Sequence, residues 1–140
     1  AVIIITAVIL GKRSGFVAGA VGSALADIAL SFYYFAPVTF LVKGLEGFVI
    51  GMVIDMFSKR TGSKRYAVIL LASVAGSVVM VSGYFFCELY VMKIFDDTMG
   101  LAAALKDLPF NVAQGGLCTV VGYSLSLALD RFKVLRFLSR

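Results

Sequence analysis

Five long apolar runs, separated by short polar interruptions, constrain this 140-residue chain more than any other feature of its sequence. These runs, named segments A to E, cover residues 1–10, 15–31, 38–57, 66–93 and 109–130. A helix needs about 20 apolar residues to cross a bilayer, and it satisfies its own backbone hydrogen bonds there. The alternating pattern of barrel strands is absent. We therefore predict an all-α, polytopic membrane helix bundle with five transmembrane segments, in a single domain over residues 1–140.

Composition excludes most other classes of protein. Charged residues make up 15% of the chain, whereas soluble domains average about 25%, so the lipid bilayer is the expected surrounding. The absence of histidine excludes His-based metal sites and Ser-His-Asp or Cys-His catalysis. Cys87 and Cys118 lie singly in apolar runs, without the C-x-x-C spacing of zinc or redox sites. We predict no catalytic residue, no metal site, no cofactor and no nucleic-acid partner for this chain.

Basic residues divide unequally between the connections, and this predicts the orientation of the chain. Ten of the thirteen Lys and Arg residues lie between segments A and B, between C and D, or after E. The B/C connection carries no charge, and acidic residues outnumber basic ones around the D/E connection. By the positive-inside rule, we predict that residues 58–65 and 131–140 are cytoplasmic and residues 94–108 external. The chain is then a multi-pass protein of a prokaryotic plasma membrane with a cytoplasmic C-terminus.

Polar side chains gather near the predicted outer ends of segments B to E. A channel or proton relay needs polar groups through the full depth of the membrane, whereas a pocket that opens outward needs them only near its mouth. Tyr84 and Glu88 are four residues apart on segment D and therefore share a helix face. Asp27 and Lys43 lie at a similar estimated depth, and we predict a structural ion pair between them. The residues predicted to bind a substrate are Tyr84, Glu88, Asn111, Gln114, Lys43, Tyr33 and Tyr34.

Each of these residues also has a structural interpretation. The tyrosines can anchor the chain in the membrane interface, and Glu88 can simply reach interfacial water. Asn111 and Gln114 can cap segment E, which we expect to begin with Pro109 in its first turn, or can bridge helices.

Small residues form two faces of segment B at four-residue spacing. Such faces allow helix backbones to approach closely, so we expect them to pack helices within the chain or to dock a partner membrane protein. The residues are Gly15, Gly19 and Ser23 on one face and Ala18, Gly22 and Ala26 on the other.

Several stretches of the sequence carry a family resemblance. They are GKRSGFVAGAVGSALAD at residues 11–27, APVTFLVKGLEG at 36–47, GYFFCE at 83–88 and PFNVAQ at 109–114. Together they resemble the substrate-binding S component of energy-coupling factor (ECF) transporters, in the general branch with riboflavin-, pyridoxine- and hydroxymethylpyrimidine-type members.

The resemblance implies a six-helix protein that captures a vitamin or vitamin precursor from outside. In that family a separate transmembrane coupling subunit and two ATPase subunits drive transport, and the S component topples in the membrane to release its ligand. Segments A to E correspond to the family's second to sixth helices, so the first helix is expected to be missing. No G-x-x-x-x-G-K-[ST] motif occurs, and we expect ATP to be hydrolysed by the partner subunits.

Two other functions are compatible with the residues alone. One is a self-sufficient, small proton-coupled secondary transporter that uses Glu46 or Glu88. The other is a structural membrane assembly subunit that uses only the small-residue faces.

Overall fold

The computed structural model describes residues 1–57, 63–94 and 100–131, and all the elements in these ranges are helical. Helix α1 is Val2–Ala29, α2 is Ala36–Met56, α3 is Ser63–Phe86 and α4 is Leu101–Arg131. A π-helical turn, Cys87–Val91, and a 3₁₀ turn, Met92–Ile94, continue α3. Four helices in the described ranges are long and apolar enough to cross a membrane. The prediction of an all-α membrane protein is therefore confirmed.

The predicted number of five spanning segments is not matched. Except for Ala1, Leu30 and Ser31, segments A and B are both part of α1, which is one candidate span. Segment A has ten residues, which give about 15 Å of helix, or half the thickness of the hydrocarbon core. It is too short to cross a membrane by itself.

Gly11 interrupts α1 with a non-helical backbone conformation, φ 82° and ψ −179°. Only glycine adopts these angles without strain. A Cβ atom on Gly15 would lie 2.8 Å from the Ala7 Cβ, although residues eight apart on a straight helix are separated by about 12 Å. The chain therefore bends sharply at Gly11, and the residues on its two sides pack against each other.

The other helices differ from prediction mainly at one end of α4. Helix α2 and the extended α3 agree with segments C and D within three residues. Helix α4 begins at Leu101, eight residues before the predicted start of segment E, so Pro109 lies inside the helix rather than in its first turn. Proline inside a helix removes one backbone hydrogen bond. It is tolerated in membrane helices where neighbouring groups compensate.

The helices pack in chain order, α1 on α2, α2 on α3 and α3 on α4, and α1 also touches α4. One apolar cluster contains Ile4, Ala7, Ile50 and Ala72. A second cluster contains Val38, Val42, Met80 and Met92 and lies toward the end of the bundle where α2 begins. The second cluster supports the floor of the site described next.

Candidate ligand-binding site

A concave cavity of about 300 Å³ lies at the end of the bundle where α1 ends and α2 begins. All four helices or their connections contribute to it, and we call it the polar cavity. Its lining residues are Asp27, Phe32, Phe35, Thr39, Tyr84, Glu88, Asp107, Phe110, Asn111 and Gln114. The structure thus brings together Tyr84, Glu88, Asn111 and Gln114, the core of the predicted substrate-binding set. Their role in binding stays a prediction.

The turn after α1 closes one side of the polar cavity. The Ser31 N–H donates to the Ile28 carbonyl at 3.1 Å, and the Phe32 N–H donates to the Asp27 carbonyl at 2.8 Å. These two bonds form a Schellman motif, which needs a left-handed residue directly after the C-cap of the helix, here Leu30. Ser31 supplies it with φ 67°. The motif holds Phe32 next to Asp27 at the cavity wall.

Helix α3 contributes Tyr84 and Glu88. The Tyr84 hydroxyl donates to Thr39 Oγ1 at 3.2 Å, which ties α3 to the first turn of α2. Glu88 lies in the π-helical turn and is only 3% exposed. π-Helical turns are frequent at functional sites, and here the turn occurs where a buried carboxylate lines a cavity.

Helix α4 presents one polar face to the cavity, formed by Asp107, Asn111 and Gln114. These residues occupy positions i, i+4 and i+7, which stack on one side of a helix. The sequence prediction missed Asp107 because it assigned that residue to a connection. If the predicted helix had begun two turns earlier, the spacing of Asp107, Asn111 and Gln114 would have placed all three residues on one face.

The predicted ion pair between Asp27 and Lys43 is not what the structure shows. The Lys43 Nζ lies 3.0 Å from Glu46 Oε2 on its own helix, and both side chains are buried. The same Nζ contacts Met80 Sδ at 2.6 Å and lies 5.9 Å from the Tyr84 ring centroid. Lys43 therefore lies beneath the polar cavity, behind Tyr84, and is not among the lining residues.

Helix register explains why Asp27 and Lys43 do not meet. A Cβ on Gly15 would contact the Gly47 carbonyl, and a Cβ on Gly19 would contact the Lys43 carbonyl. The two helices are antiparallel, so a position four residues later on α1 faces a position four residues earlier on α2. Continuing this register by two steps from Gly19 and Lys43 places Asp27 opposite Phe35. Lys43 is eight residues from Phe35, or about 12 Å along the helix axis.

Two carboxylate oxygens at the cavity lack partners in the described part of the chain. Asp27 Oδ2 and Glu88 Oε2 are both buried and accept no hydrogen bond there. Buried polar atoms are nearly always satisfied in folded proteins, and each exception requires an explanation such as a missing ligand or ion. The arrangement suits a bound molecule that donates hydrogen bonds.

The turn between α1 and α2 contributes different aromatic residues from those predicted. Tyr33 and Tyr34 are 61% and 73% exposed and do not line the cavity. Phe32 and Phe35 line it instead, together with Phe110. A turn without helical periodicity offers no sequence signal for which of its aromatic side chains point inward.

The two small-residue faces of α1 have different surroundings. Gly15 and Gly19 are buried against the α2 backbone, so this face packs helices within the chain and is not free to dock a partner. Ser23, farther along this face, is half-buried. On the second face Ala18 is half-buried, whereas Gly22 and Ala26 are exposed, and a Cβ on Gly22 would have no neighbour within 4 Å. Partner docking at this second face stays a prediction.

Several predicted features lie wholly or partly outside the described residues. They are most of residues 58–65, residues 95–99 of the D/E connection and nearly all of residues 131–140. Asp55, near the end of α2 opposite the cavity, is exposed and pairs with Lys12 at 3.4 Å. The two side chains are 42% and 47% exposed, so this pair lies at the surface.

Comparison with known proteins identifies similar sequences. A family model described as "ECF-type riboflavin transporter, S component" matches residues 1–131. An "Uncharacterized protein in gap 3'region" from Pyrococcus woesei is 44% identical over 82 residues, which are 59% of this chain. The matched stretch spans about half the length of that relative, 51%. No solved structure matches the chain.

Proposed function

The chain belongs to the family of ECF-type transporter S components, and from this premise we propose that it captures a vitamin or vitamin precursor from outside the cell in the polar cavity. The family is a substrate-binding component of a transporter and not an enzyme. The observation that carries the proposal is the convergence of polar residues from α1, α3 and α4 on one cavity. Small-ligand sites are concave and mainly apolar, with a few convergent polar groups.

The lining suggests how a ligand is recognised. Tyr84 and the phenylalanines offer faces on which a flat heterocycle can stack. Glu88 accepts hydrogen bonds from N–H or O–H groups of the ligand, and the amides of Asn111 and Gln114 both donate and accept. Lys43 supports this surface from below through Tyr84.

Orientation is part of the proposal. The basic residues between α2 and α3 and after α4 favour a cytoplasmic location for that end of the bundle. The polar cavity lies at the opposite end and then opens outward. A cysteine introduced at Ser63 should be protected from an impermeant thiol reagent in intact cells and labelled in inverted vesicles. Labelling in intact cells contradicts the proposed orientation.

Partner subunits follow from the family. We propose that a transmembrane coupling subunit and two ATPase subunits drive uptake, and that ATP binds to those subunits and not to this chain. Uptake by this chain in vesicles without any ATPase would instead support the proton-coupled alternative. Buried Glu46, one of the two carboxylates suggested for that role, is already paired with Lys43.

The binding site is tested with the ligand that the protein itself retains. The purified chain is denatured, the released small molecule is identified by mass spectrometry, and the molecule is titrated back into variants. A lost charged hydrogen bond costs about 1.5 to 3 kcal/mol, so Glu88→Gln should weaken binding by about ten- to a hundredfold.

The matched control is Ser73→Ala on the same helix. Ser73 is fully buried and donates to the Ile69 carbonyl, away from the cavity. Its removal should leave affinity unchanged. Equal affinities of the Glu88→Gln and Ser73→Ala variants would show that the ligand binds elsewhere.

A further inference from the structure

The charges around the polar cavity are one-sided. Asp27 on α1, Glu88 in the continuation of α3 and Asp107 on α4 all line it, and no Lys or Arg of the described residues does. Lys93 and Lys106 are near these positions in sequence but are exposed and do not contribute to the lining. Three helices therefore each deliver a carboxylate to the same space.

The cation beneath the cavity does not offset these carboxylates. Lys43 Nζ is bound to Glu46 Oε2 at 3.0 Å, so its charge is matched by a fourth carboxylate. The Lys43–Glu46 pair is therefore neutral as a whole. The three carboxylates that line the cavity, from α1, the continuation of α3 and α4, stay in excess. A charged group inside a membrane protein requires a partner, and the salt bridges found among the described residues, Lys12–Asp55 and Lys43–Glu46, include none of these three carboxylates.

Two of these carboxylates have an oxygen that is buried from solvent. Glu88 lines the cavity and is 3% exposed, and its Oε2 is buried without a hydrogen-bond partner among the described residues. Asp27 Oδ2 is also buried and unpartnered there. Ionised carboxylates only accept hydrogen bonds. A ligand that supplies positive charge and N–H donors removes the penalty for both.

The aromatic lining favours the same kind of ligand. Phe32, Phe35, Tyr84 and Phe110 line the same cavity as the carboxylates, and aromatic faces attract cations. The acidic residues do not form a cluster that could hold a metal ion, within the ranges that the structure describes. They are distributed around the cavity, which suits an extended organic cation.

We propose that the polar cavity selects organic cations, namely a vitamin or precursor with a protonated amine or a positively charged ring nitrogen, and rejects anionic ligands. This inference rests on the proposed function, because it concerns the same cavity. The volume of about 300 Å³ is at the lower end of small-ligand sites, which suits a molecule of one or two rings.

The first test is the charge of the ligand extracted from the purified protein. A ligand that is cationic at neutral pH supports the proposal, and a neutral or anionic ligand overturns it.

If no ligand is retained, the test is the rise in melting temperature that chemically matched probes cause when they are added to the protein. Three probes share one pyridine ring and differ in the charge of a substituent: pyridoxamine is positive, pyridoxine neutral and pyridoxal 5′-phosphate negative. Thiamine is a further cationic probe, and riboflavin is a further neutral probe. Stabilisation by a cation beyond its neutral counterparts is expected, and its absence contradicts the proposal.

Variants then separate charge selection from simple occupancy of the cavity. Glu88→Gln should weaken binding of the cation about tenfold or more and that of a neutral probe less than about threefold. Asp107→Asn should act in the same direction. Asp55→Asn removes a carboxylate at the far end of α2 and should change neither affinity.

The outcomes distinguish the two proposals. If a neutral ligand such as riboflavin binds and depends on Glu88, the proposed binding site holds and cation selection is wrong. If Glu88→Gln changes the binding of no ligand, the proposed binding site itself is wrong. Equal losses for cationic and neutral probes also overturn cation selection.

Discussion

The two ends of the α1–α2 pair differ in whether the helices are in close backbone contact or line a cavity. At one end Gly15 and Gly19 bring the α1 backbone against the carbonyls of Gly47 and Lys43. At the other end, Asp27 and Phe35 line a cavity. Positions 15, 19, 23 and 27 share one face of α1 and hold Gly, Gly, Ser and Asp. The side chains on this face are larger nearer the cavity, so the same face packs against α2 at one end and contributes a carboxylate to the cavity at the other.

This difference also separates two kinds of energetic contribution. Close backbone contact stabilises a membrane bundle by van der Waals packing, and it leaves no room for a ligand. The cavity end contains buried oxygens without partners, which cost stability unless a ligand satisfies them. We infer that the glycine end provides the stability that the binding end lacks.

The largest effect is expected at the boundary between the two ends, where Lys43 pairs with Glu46. Lys43→Met leaves a carboxylate alone in a buried position and should lower the free energy of unfolding by about 3 to 5 kcal/mol. Combining it with Glu46→Leu should restore most of this loss, because both charges are then gone. Chemical or thermal denaturation in detergent measures both changes.

The exposed pair of Lys12 and Asp55, 3.4 Å apart, is the control. Its side chains are 42% and 47% exposed, so Lys12→Met should cost less than about 1 kcal/mol. A double Lys43→Met, Glu46→Leu variant less stable than both single variants contradicts the assignment of a buried neutralised pair.

A smaller effect is expected for alanine in the glycine end. A methyl group on Gly19 would overlap the Lys43 carbonyl, and overpacking of this kind costs about 1 to 3 kcal/mol. Gly22→Ala, three residues away on the same helix, has no neighbour within 4 Å and should leave the melting temperature unchanged or raise it. Equal melting temperatures for the two variants argue against close contact of α1 and α2.

The smallest effect is expected at the cavity end, in the turn after α1. Ser31 adopts φ 67°, which is unfavourable for residues with a Cβ, so Ser31→Gly should stabilise the protein by about 0.5 to 1 kcal/mol. Ser82→Gly, at an exposed position inside α3, should instead destabilise it by about 0.5 kcal/mol. Destabilisation by Ser31→Gly shows that this turn is not held in the left-handed conformation.

Much of the site was predictable because its residues repeat within single helices. Tyr84 and Glu88 follow i, i+4 spacing, and Asn111 and Gln114 follow i, i+3 spacing. Periodicity of this kind places side chains on one face without knowledge of any other helix. Asp107 was missed because the charged residues Lys106 and Asp107 interrupt the apolar run, and the prediction placed the start of the helix after them, at Pro109.

Interactions between helices were not predictable in the same way. Equal depth in the membrane suggested that Lys43 meets Asp27, but the glycine contacts set a register that brings Asp27 opposite Phe35 instead. The bend at Gly11 and the inward position of Phe32 and Phe35 also depend on three-dimensional contacts. The depth of a residue in the membrane can be estimated from its own segment. Whether two residues form an ion pair also depends on the rotation of both helices and on their register.

The sequence by itself determined that this chain is a helical membrane protein and that the polar residues of four helices lie toward one end of the bundle. Both follow from the apolar content of single segments and the cost of polar groups in lipid. Only the tertiary structure decided that Asp27, Glu88 and Asp107 line one cavity while Lys43 is paired beneath it. That choice depends on how closely glycine lets α1 approach α2, because helix separation and register decide which side chains share a space.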